Sequence, residues 1–145
     1  MIIGSGVDVI EIARIERVLR RRGDRFERRV FTPREIEQCH RASRPAPHFA
    51  VRFAAKEAVM KAVGTGWAQG VRWVDIETGV QTSTGEGPGR ISDRLQLTLH
   101  GAVADRCRQL ASRRRGAGGT VQAHLAVGRS RTHAVATVLL EDPGW

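Results

Sequence analysis

One segment of the chain, Phe53–Gly66, is apolar on nearly every face of the helix that its residues predict, yet it carries three charged side chains. A helix that is hydrophobic all round is usually buried. At about 100° per residue, Glu57 and Lys61 fall on one face of this helix. A buried carboxylate without a partner is costly or takes up a proton. Glu57 is therefore paired with Lys61, bound to a metal, or exposed at a cleft, and the last two alternatives are functional.

The order of the predicted elements indicates an α+β fold, with helices on one face of a mainly antiparallel sheet. With 145 residues, of which 41% are hydrophobic, we expect one domain that spans 1–145. Gly4 and Gly6 in the first strand suit a close approach of two backbones. The predicted strands, of which the last two form a hairpin, are Ile2–Ile10, Val71–Glu77, Ile91–Leu99, Val121–Val127 and Ala134–Glu141.

Helical spacing and turn residues predict four helices. The second should begin with a capping box, in which Thr32 is the N-cap, Pro33 the first helical residue and Glu35 the acid. Arg44–Pro47 is interpreted as a linker, and Gly79–Gly89 as a polar loop. The predicted helices are a first one through Ile12, Ile15 and Leu19 that Gly23 ends, a short one near Ile36–Arg41, a long one from about His48 to Val63, and Ala102–Arg113.

The net charge of +9 favours an acidic partner, which could be a protein, a nucleic acid, an anionic membrane or a phosphorylated cofactor. Arginines line the predicted first helix, where they form a solvated face, dock an acidic protein helix or bind nucleic acid. Nucleic acid is disfavoured because aromatic residues make up only 5% of the chain and tyrosine is absent. No signal peptide or membrane-length segment is recognised, and Cys39 and Cys107 are read as reduced thiols, so we expect a cytoplasmic protein.

Two candidate sites of chemistry come from the residues alone. Asp8 is either the N-cap of the first helix or a second carboxylate beside Glu57, and two carboxylates with open positions suit Mg²⁺. The turn Gly64–Gly66 follows a helix that carries Arg52 and Lys56, and glycine turns with nearby cations approach phosphates closely. Taken singly, those two cations are interpreted as solvated side chains.

Two segments, Gly6–Ile15 and Arg52–Gly66, closely resemble the corresponding motifs of the small bacterial holo-acyl-carrier-protein synthases, which are 4′-phosphopantetheinyl transferases. Val121–Glu141 resembles the closing hairpin of that family, with His124 at a position that is usually histidine. The likeness covers nearly the whole chain. Two motifs in the right order and at the right separation make it specific.

The resemblance implies transfer of 4′-phosphopantetheine from coenzyme A to a serine of an apo acyl carrier protein, with release of 3′,5′-ADP. It also implies Mg²⁺, with Mn²⁺ as the alternative ion, and a homotrimer with active sites between subunits. The partner would be a small acidic carrier protein of fatty-acid or polyketide biosynthesis. Neither nucleic acid nor a membrane is expected as a partner.

By motif position, the resemblance implies that Asp8 and Glu57 hold the metal, that Glu57 accepts the serine proton, and that Lys61 neutralises charge on the phosphate oxygens. These three would be the catalytic residues. The residues expected to bind coenzyme A are Arg52, Lys56, Lys61, Gly64, Thr65, Gly66 and His124. Those expected to dock the carrier protein are Arg14, Arg21 and Arg25.

The chain departs from the family pattern at three places: Ala126 replaces a usual serine, Arg129 replaces a second histidine, and Gly85–Arg90 replaces a Gly-Lys-Pro-like turn. Two alternatives to the transferase remain open. One is a non-catalytic basic module that binds acidic proteins or nucleic acid. The other is a catalytically silent relative that keeps only the trimer.

Overall fold

The computed structural model of the protein describes residues 1–66, 70–80, 95–115 and 119–144. Within these ranges the strands pair only in antiparallel fashion, which confirms the α+β class. In chain order the elements are β1 (Ile2–Glu11), α1 (Ile12–Val30), α2 (Pro33–His40), α3 (Pro45–Val63), a 3-10 helix (Trp73–Asp75), β2 (Ile76–Val80), β3 (Leu95–Leu99), α4 (Gly101–Arg115), β4 (Gln122–Arg129) and β5 (His133–Glu141).

The larger sheet has the order β1-β5-β4, and β2 and β3 form a separate two-stranded ladder. β5 is the central strand, because it pairs with β1 through Asp8 and Ala136 and with β4 through Leu125 and Val138. Alternate residues of β5, including Ala136 and Val138, are buried under α3, and those between them are exposed. One face of this sheet is therefore covered and the other is open.

The long helix α3 is the centre of the core, as its composition predicts. Fourteen of its nineteen residues are buried, so neighbours cover it on nearly every side. β1 and β5 lie against one side of it. Phe49 packs on Phe31, and Phe53 packs on Trp73, on elements away from the larger sheet.

Gly4 and Gly6 bring the backbone of β1 directly against α3. A Cβ added to Gly4 would lie 2.4 Å from the carbonyl oxygen of Ala62, and one added to Gly6 would lie 2.0 Å from that of Ala58. No larger residue fits without moving the helix. The predicted close approach of two backbones is confirmed, and it sets how near β1 lies to α3.

Several predicted boundaries need correction. Arg44–Pro47 is not a linker, because α3 begins at Pro45 and proline is tolerated in a first helical turn, where the N–H has no intrahelical partner. Gly23 has φ 35° and ψ −124°, so it does interrupt α1, but a second helical stretch continues to Val30. The strand predicted at Val71–Glu77 begins only at Ile76.

The capping box is confirmed as predicted. The Glu35 backbone N–H donates to Thr32 Oγ1, and the Thr32 backbone N–H donates to Glu35 Oε2 at 2.8 Å. The closing hairpin is confirmed as β4 and β5. Most of the Gly79–Gly89 loop lies outside the described residues, as do 91–94 of the predicted third strand. Within the described ranges, no helix is both long enough and apolar enough to cross a membrane.

Candidate active site

β1 and α3 bring together Asp8, Glu57 and Lys61, which are far apart in the sequence. Asp8 lies inside β1 and α1 begins only after Glu11, so the interpretation of Asp8 as an N-cap is wrong. The Lys61 ammonium donates to Asp8 Oδ1 and to the Val7 carbonyl oxygen, each at 2.9 Å. This pair joins the helix to the strand at the surface, where about half of the Lys61 side chain is exposed.

Glu57 is half-buried and lies beside this pair. Burial raises its pKa, and the Asp8 carboxylate raises it further, whereas Lys61 and Arg14 act in the opposite direction. Within the described parts of the chain, Glu57 makes no hydrogen bond or ion pair, since Lys61 bonds to Asp8 instead. Of the three alternatives for Glu57, pairing with Lys61 is thus not observed. Two neighbouring carboxylates, one without a partner, fit a cation.

The arginines of α1 begin beside this group of charged side chains. Arg14 is exposed and lies near enough to Glu57 to lower its pKa. We call the exposed arginines of α1 the arginine ridge, and Gly23 divides it into two stretches. Its members are Arg14, Arg17, Arg20, Arg21, Arg22, Arg25, Arg28 and Arg29.

The glycine turn after α3 adopts backbone angles that only glycine takes readily. Gly64 caps the helix with φ 70°, and Gly66 has φ 53°. Thr65 between them is nearly buried and lines a cleft of about 220 Å³ between this turn and α4. On the α4 side, Arg106 lines the same cleft and donates from Nε to the Val63 carbonyl oxygen at 3.3 Å.

The predictions for Lys56 need correction, because its side chain is neither solvated nor placed to bind a phosphate. Its side chain is 0% exposed, and its ammonium donates to Glu35 Oε2 at 2.8 Å and to the carbonyl oxygens of Trp73 and Ile76. Three acceptors occupy its three donors. The sequence showed Glu35 only as a capping acid, so nothing in the local pattern indicated this pair.

Arg52 is also buried rather than solvated. Its guanidinium donates to Gln38 Oε1 at 2.9 Å and to the His48 carbonyl oxygen, whereas its Nε has no partner among the described residues. Burial lowers the pKa of His48, and the charges of Arg52 and Arg129 lower it further. Arg129 is thus near the start of α3, a grouping that sequence reasoning missed. That Arg52 binds coenzyme A stays a prediction.

His124 lies on the face of the larger sheet that is turned away from α3. It pairs with Glu141 at 2.7 Å and shares that open face with Val7, Val9 and Leu139. Asp8 belongs to the other face of β1. The chain does not bring His124 together with its own Asp8 and Glu57.

Comparison with known proteins gives consistent results. The model of a family described as the 4′-phosphopantetheinyl transferase superfamily matches residues 4–112. A Koribacter versatilis protein named holo-[acyl-carrier-protein] synthase is 42% identical over 142 residues, which is 98% of this chain and 100% of the relative.

Two solved structures show the same fold. A holo-(acyl-carrier-protein) synthase from Bacillus anthracis, in complex with coenzyme A (3′,5′-ADP), matches with a TM-score of 0.69 and 32% identity over 98% of each chain. The synthase from Neisseria meningitidis matches with a TM-score of 0.74 and 28% identity, over 97% of this chain and 99% of the other.

Proposed function

Since this chain belongs to the 4′-phosphopantetheinyl transferase superfamily, we propose that it transfers 4′-phosphopantetheine from coenzyme A to a serine of an apo acyl carrier protein and releases 3′,5′-ADP. The observation that carries this proposal is the convergence of Asp8, Glu57 and Lys61 at the surface between β1 and α3. The whole chain would act as one transferase domain in the cytoplasm. Its carrier protein would serve fatty-acid or polyketide biosynthesis.

Asp8 and Glu57 would hold a Mg²⁺ ion, with Mn²⁺ as the alternative. The fit rests on the chemistry of the site: two neighbouring carboxylates, of which Glu57 has no partner in the described part of the chain. Among the described residues no three His, Cys, Asp or Glu side chains form a group that could hold a metal. Mg²⁺ commonly takes one or two carboxylates and fills its other positions with water and substrate phosphate oxygens. When bound, it would neutralise charge on the diphosphate of coenzyme A.

Lys61 and Glu57 would do the remaining chemistry. Phosphoryl-centre displacement needs positioning and charge neutralisation more than covalent help. Bonds to Asp8 and to the Val7 carbonyl oxygen fix the Lys61 ammonium, which would face the bridging and leaving-group oxygens. Glu57, half-buried beside Asp8, would accept the serine proton as general base.

Coenzyme A would lie along the surface of α3 from Glu57 toward the Gly64–Gly66 turn. The supporting geometry is that Thr65 opens onto a cleft of about 220 Å³ beside this turn. Arg52 is kept in the binding set by motif position alone, because its guanidinium is 3% exposed and already hydrogen-bonded within the chain. Lys56 is withdrawn from the binding set because its ammonium is buried and saturated.

The open face of the larger sheet would join three copies of the chain. Val7 and Val9 on β1 are 52% and 60% exposed, and Val135 and Leu139 on β5 extend the same apolar surface. Such a surface on a soluble chain commonly marks an interface. His124, which also lies on this face, would reach coenzyme A only in the site of a neighbouring copy.

The arginine ridge would dock the carrier protein, with Arg14, Arg21 and Arg25 as its contacts. All three are exposed, and none has an ion-pair partner in the described residues. A chain of net charge +9 attracts an acidic protein over a long range and so speeds its association.

The decisive test is incubation of the protein with coenzyme A, Mg²⁺ and candidate apo carrier proteins. Mass spectrometry should show a covalent gain of about 340 Da on the carrier serine. Glu57→Ala should abolish this gain while circular dichroism and oligomer size stay unchanged. Glu37→Ala removes an exposed carboxylate of α2 and is the matched control. Full activity of Glu57→Ala would refute the mechanism, and salt-sensitive nucleic-acid binding without turnover would favour the basic module.

A further inference from the structure

The rotation of α3 about its own axis decides whether Glu57 faces Asp8, and no division into a polar and an apolar face sets that rotation. The helix is buried on nearly every side, and alanines make up much of its surface. Helices orient themselves through a polar and an apolar face, and α3 lacks this distinction. A turn by one residue position, about 100°, would carry Glu57 away from β1.

The buried ion pair between Lys56 and Glu35 distinguishes one rotation from the others. Lys56 occupies the position just before Glu57, so the two side chains leave the helix about 100° apart. Three acceptors from outside α3 surround the Lys56 ammonium: Glu35 Oε2 at 2.8 Å, the Trp73 carbonyl oxygen at 3.1 Å and the Ile76 carbonyl oxygen. Any other rotation would leave this cation buried without its acceptors, and would leave the buried Glu35 carboxylate without its cation.

Glu35 is itself held firmly in place. Its Oε2 also accepts the backbone N–H of Thr32, and its Oε1 accepts both the backbone N–H of Thr78 at 2.8 Å and the Thr78 hydroxyl at 2.6 Å. Both residues of the ion pair are 0% exposed. The carboxylate thus ties α2, β2 and α3 together at a single point.

On the far side of α3, the backbone of β1 limits the helix in a different way. Gly6 lies against Ala58 and Ala62, whose positions on the helix are roughly opposite that of Lys56 at about 100° per residue. Glu57 and Lys61 lie on the face between these two contacts. The glycine contact sets the distance between β1 and α3, and the ion pair sets the rotation.

We propose that Lys56 and Glu35 are positioning residues, whose buried ion pair selects the one rotation of α3 that turns Glu57 toward Asp8. Buried ion pairs often contribute less to stability than apolar residues of similar volume, whereas buried polar groups are well known to specify helix register. The inference rests on the proposed function only where turnover is measured. Metal binding and geometry test it separately.

The test compares the single variant Lys56→Met with the double variant Lys56→Met/Glu35→Gln. The single variant leaves a buried carboxylate without its cation and should melt well below the wild type. The double variant removes both charges and should recover most of that loss. If the pair contributes only to stability, the double variant should regain the Mn²⁺ affinity and kcat of the wild type together with its stability. If the pair positions α3, the double variant should still bind Mn²⁺ at least tenfold more weakly than the wild type, as measured by electron paramagnetic resonance. Its kcat should also be lower than that of the wild type by a factor on the order of 10², whereas KM for the carrier should change little.

Glu27→Gln is the control, because Glu27 is another buried carboxylate, paired with His40 between α1 and α2. It should leave Mn²⁺ affinity at the wild-type value.

A second variant, Thr78→Val, tests the same idea if the double variant does not fold. It keeps the backbone N–H that donates to Glu35 and removes only the Thr78 hydroxyl that donates to the same carboxylate. We expect a few-fold weaker Mn²⁺ binding from Thr78→Val, and wild-type affinity would then overturn the proposal.

A crystal structure of the double variant gives a result that does not depend on any activity. The expected result is a larger separation of the Asp8 and Glu57 carboxylates than in the wild type. A double variant with wild-type stability, Mn²⁺ affinity and carboxylate separation would overturn the proposal. If the wild type binds Mn²⁺ but modifies no carrier protein, the proposed function fails, and the comparison of variants still decides the positioning role.

Discussion

Gly6→Ala should damage the candidate active site without touching any of its side chains. The new methyl carbon would lie 2.0 Å from the Ala58 carbonyl oxygen and 2.8 Å from the Ala62 nitrogen, where ordinary contact begins near 3.4 Å. Both obstacles are backbone atoms of α3, so no side chain can turn aside. The helix and the strand must separate by about 1.4 Å, the shortfall at the closer contact.

The separation of β1 from α3 occurs next to the residues that form the candidate active site. Ala58 follows Glu57 directly, and Asp8 lies two residues beyond Gly6 on the same side of β1. Moving the two backbones apart therefore lengthens the distance between the two carboxylates. Overpacking of this kind costs about 1–3 kcal/mol of stability. A displacement of about 1 Å at a site of this chemistry can lower the rate on the order of 10²-fold.

The matched control is Gly79→Ala in β2, where an added Cβ meets no atom within 4 Å among the described residues. Both variants place alanine in a strand, so they share the change in unfolded-chain entropy. Chemical denaturation gives the free energy of unfolding, and carrier modification followed by mass spectrometry gives the rate. A Gly6→Ala protein with the stability and rate of Gly79→Ala would refute the argument that backbone contact positions Asp8 against Glu57.

Three further predictions follow from the site and its surroundings. In EDTA at neutral pH, Glu57→Gln should have a higher Tm than the wild type, because burial and Asp8 raise the pKa of Glu57 and so disfavour its ionised form. The difference in Tm should vanish as the pH falls through that raised pKa to 4.5, where Glu57 is protonated in the folded protein. A difference in Tm that does not depend on pH would contradict this prediction. Arg14→Glu should raise KM for the carrier about tenfold and leave KM for coenzyme A little changed, while Arg34→Glu, an equal charge change at an exposed site outside the ridge, should alter neither. Leu139→Glu places a charge on the open sheet face and should convert the proposed trimer to a monomer in sedimentation velocity; a sedimentation coefficient equal to that of the wild type would exclude this face as the interface.

Local patterns in the sequence were sufficient for most elements of the fold, although not for all of their boundaries. The capping box at Thr32 and Glu35, the closing hairpin and the buried character of α3 all depend on spacing within one segment, and all are confirmed. Gly4 and Gly6 were also recognised correctly, because a strand with two small residues on one side predicts a neighbouring backbone. The motifs placed the chain in its family without the structure.

The hydrogen-bond and ion-pair partners of the buried charged side chains could not be predicted from the same patterns. Lys56 and Arg52 looked like solvated cations or phosphate ligands, because a helix sequence shows which residues share a face but not what covers that face. The partners of Lys56 lie 17 to 21 residues away along the chain, and Glu35 already had a local role as a capping acid. The sequence by itself thus determined most of the elements and the family, whereas the tertiary structure decided which charges meet. A buried charge loses its hydration, so it needs partners that only the packing of separate segments supplies.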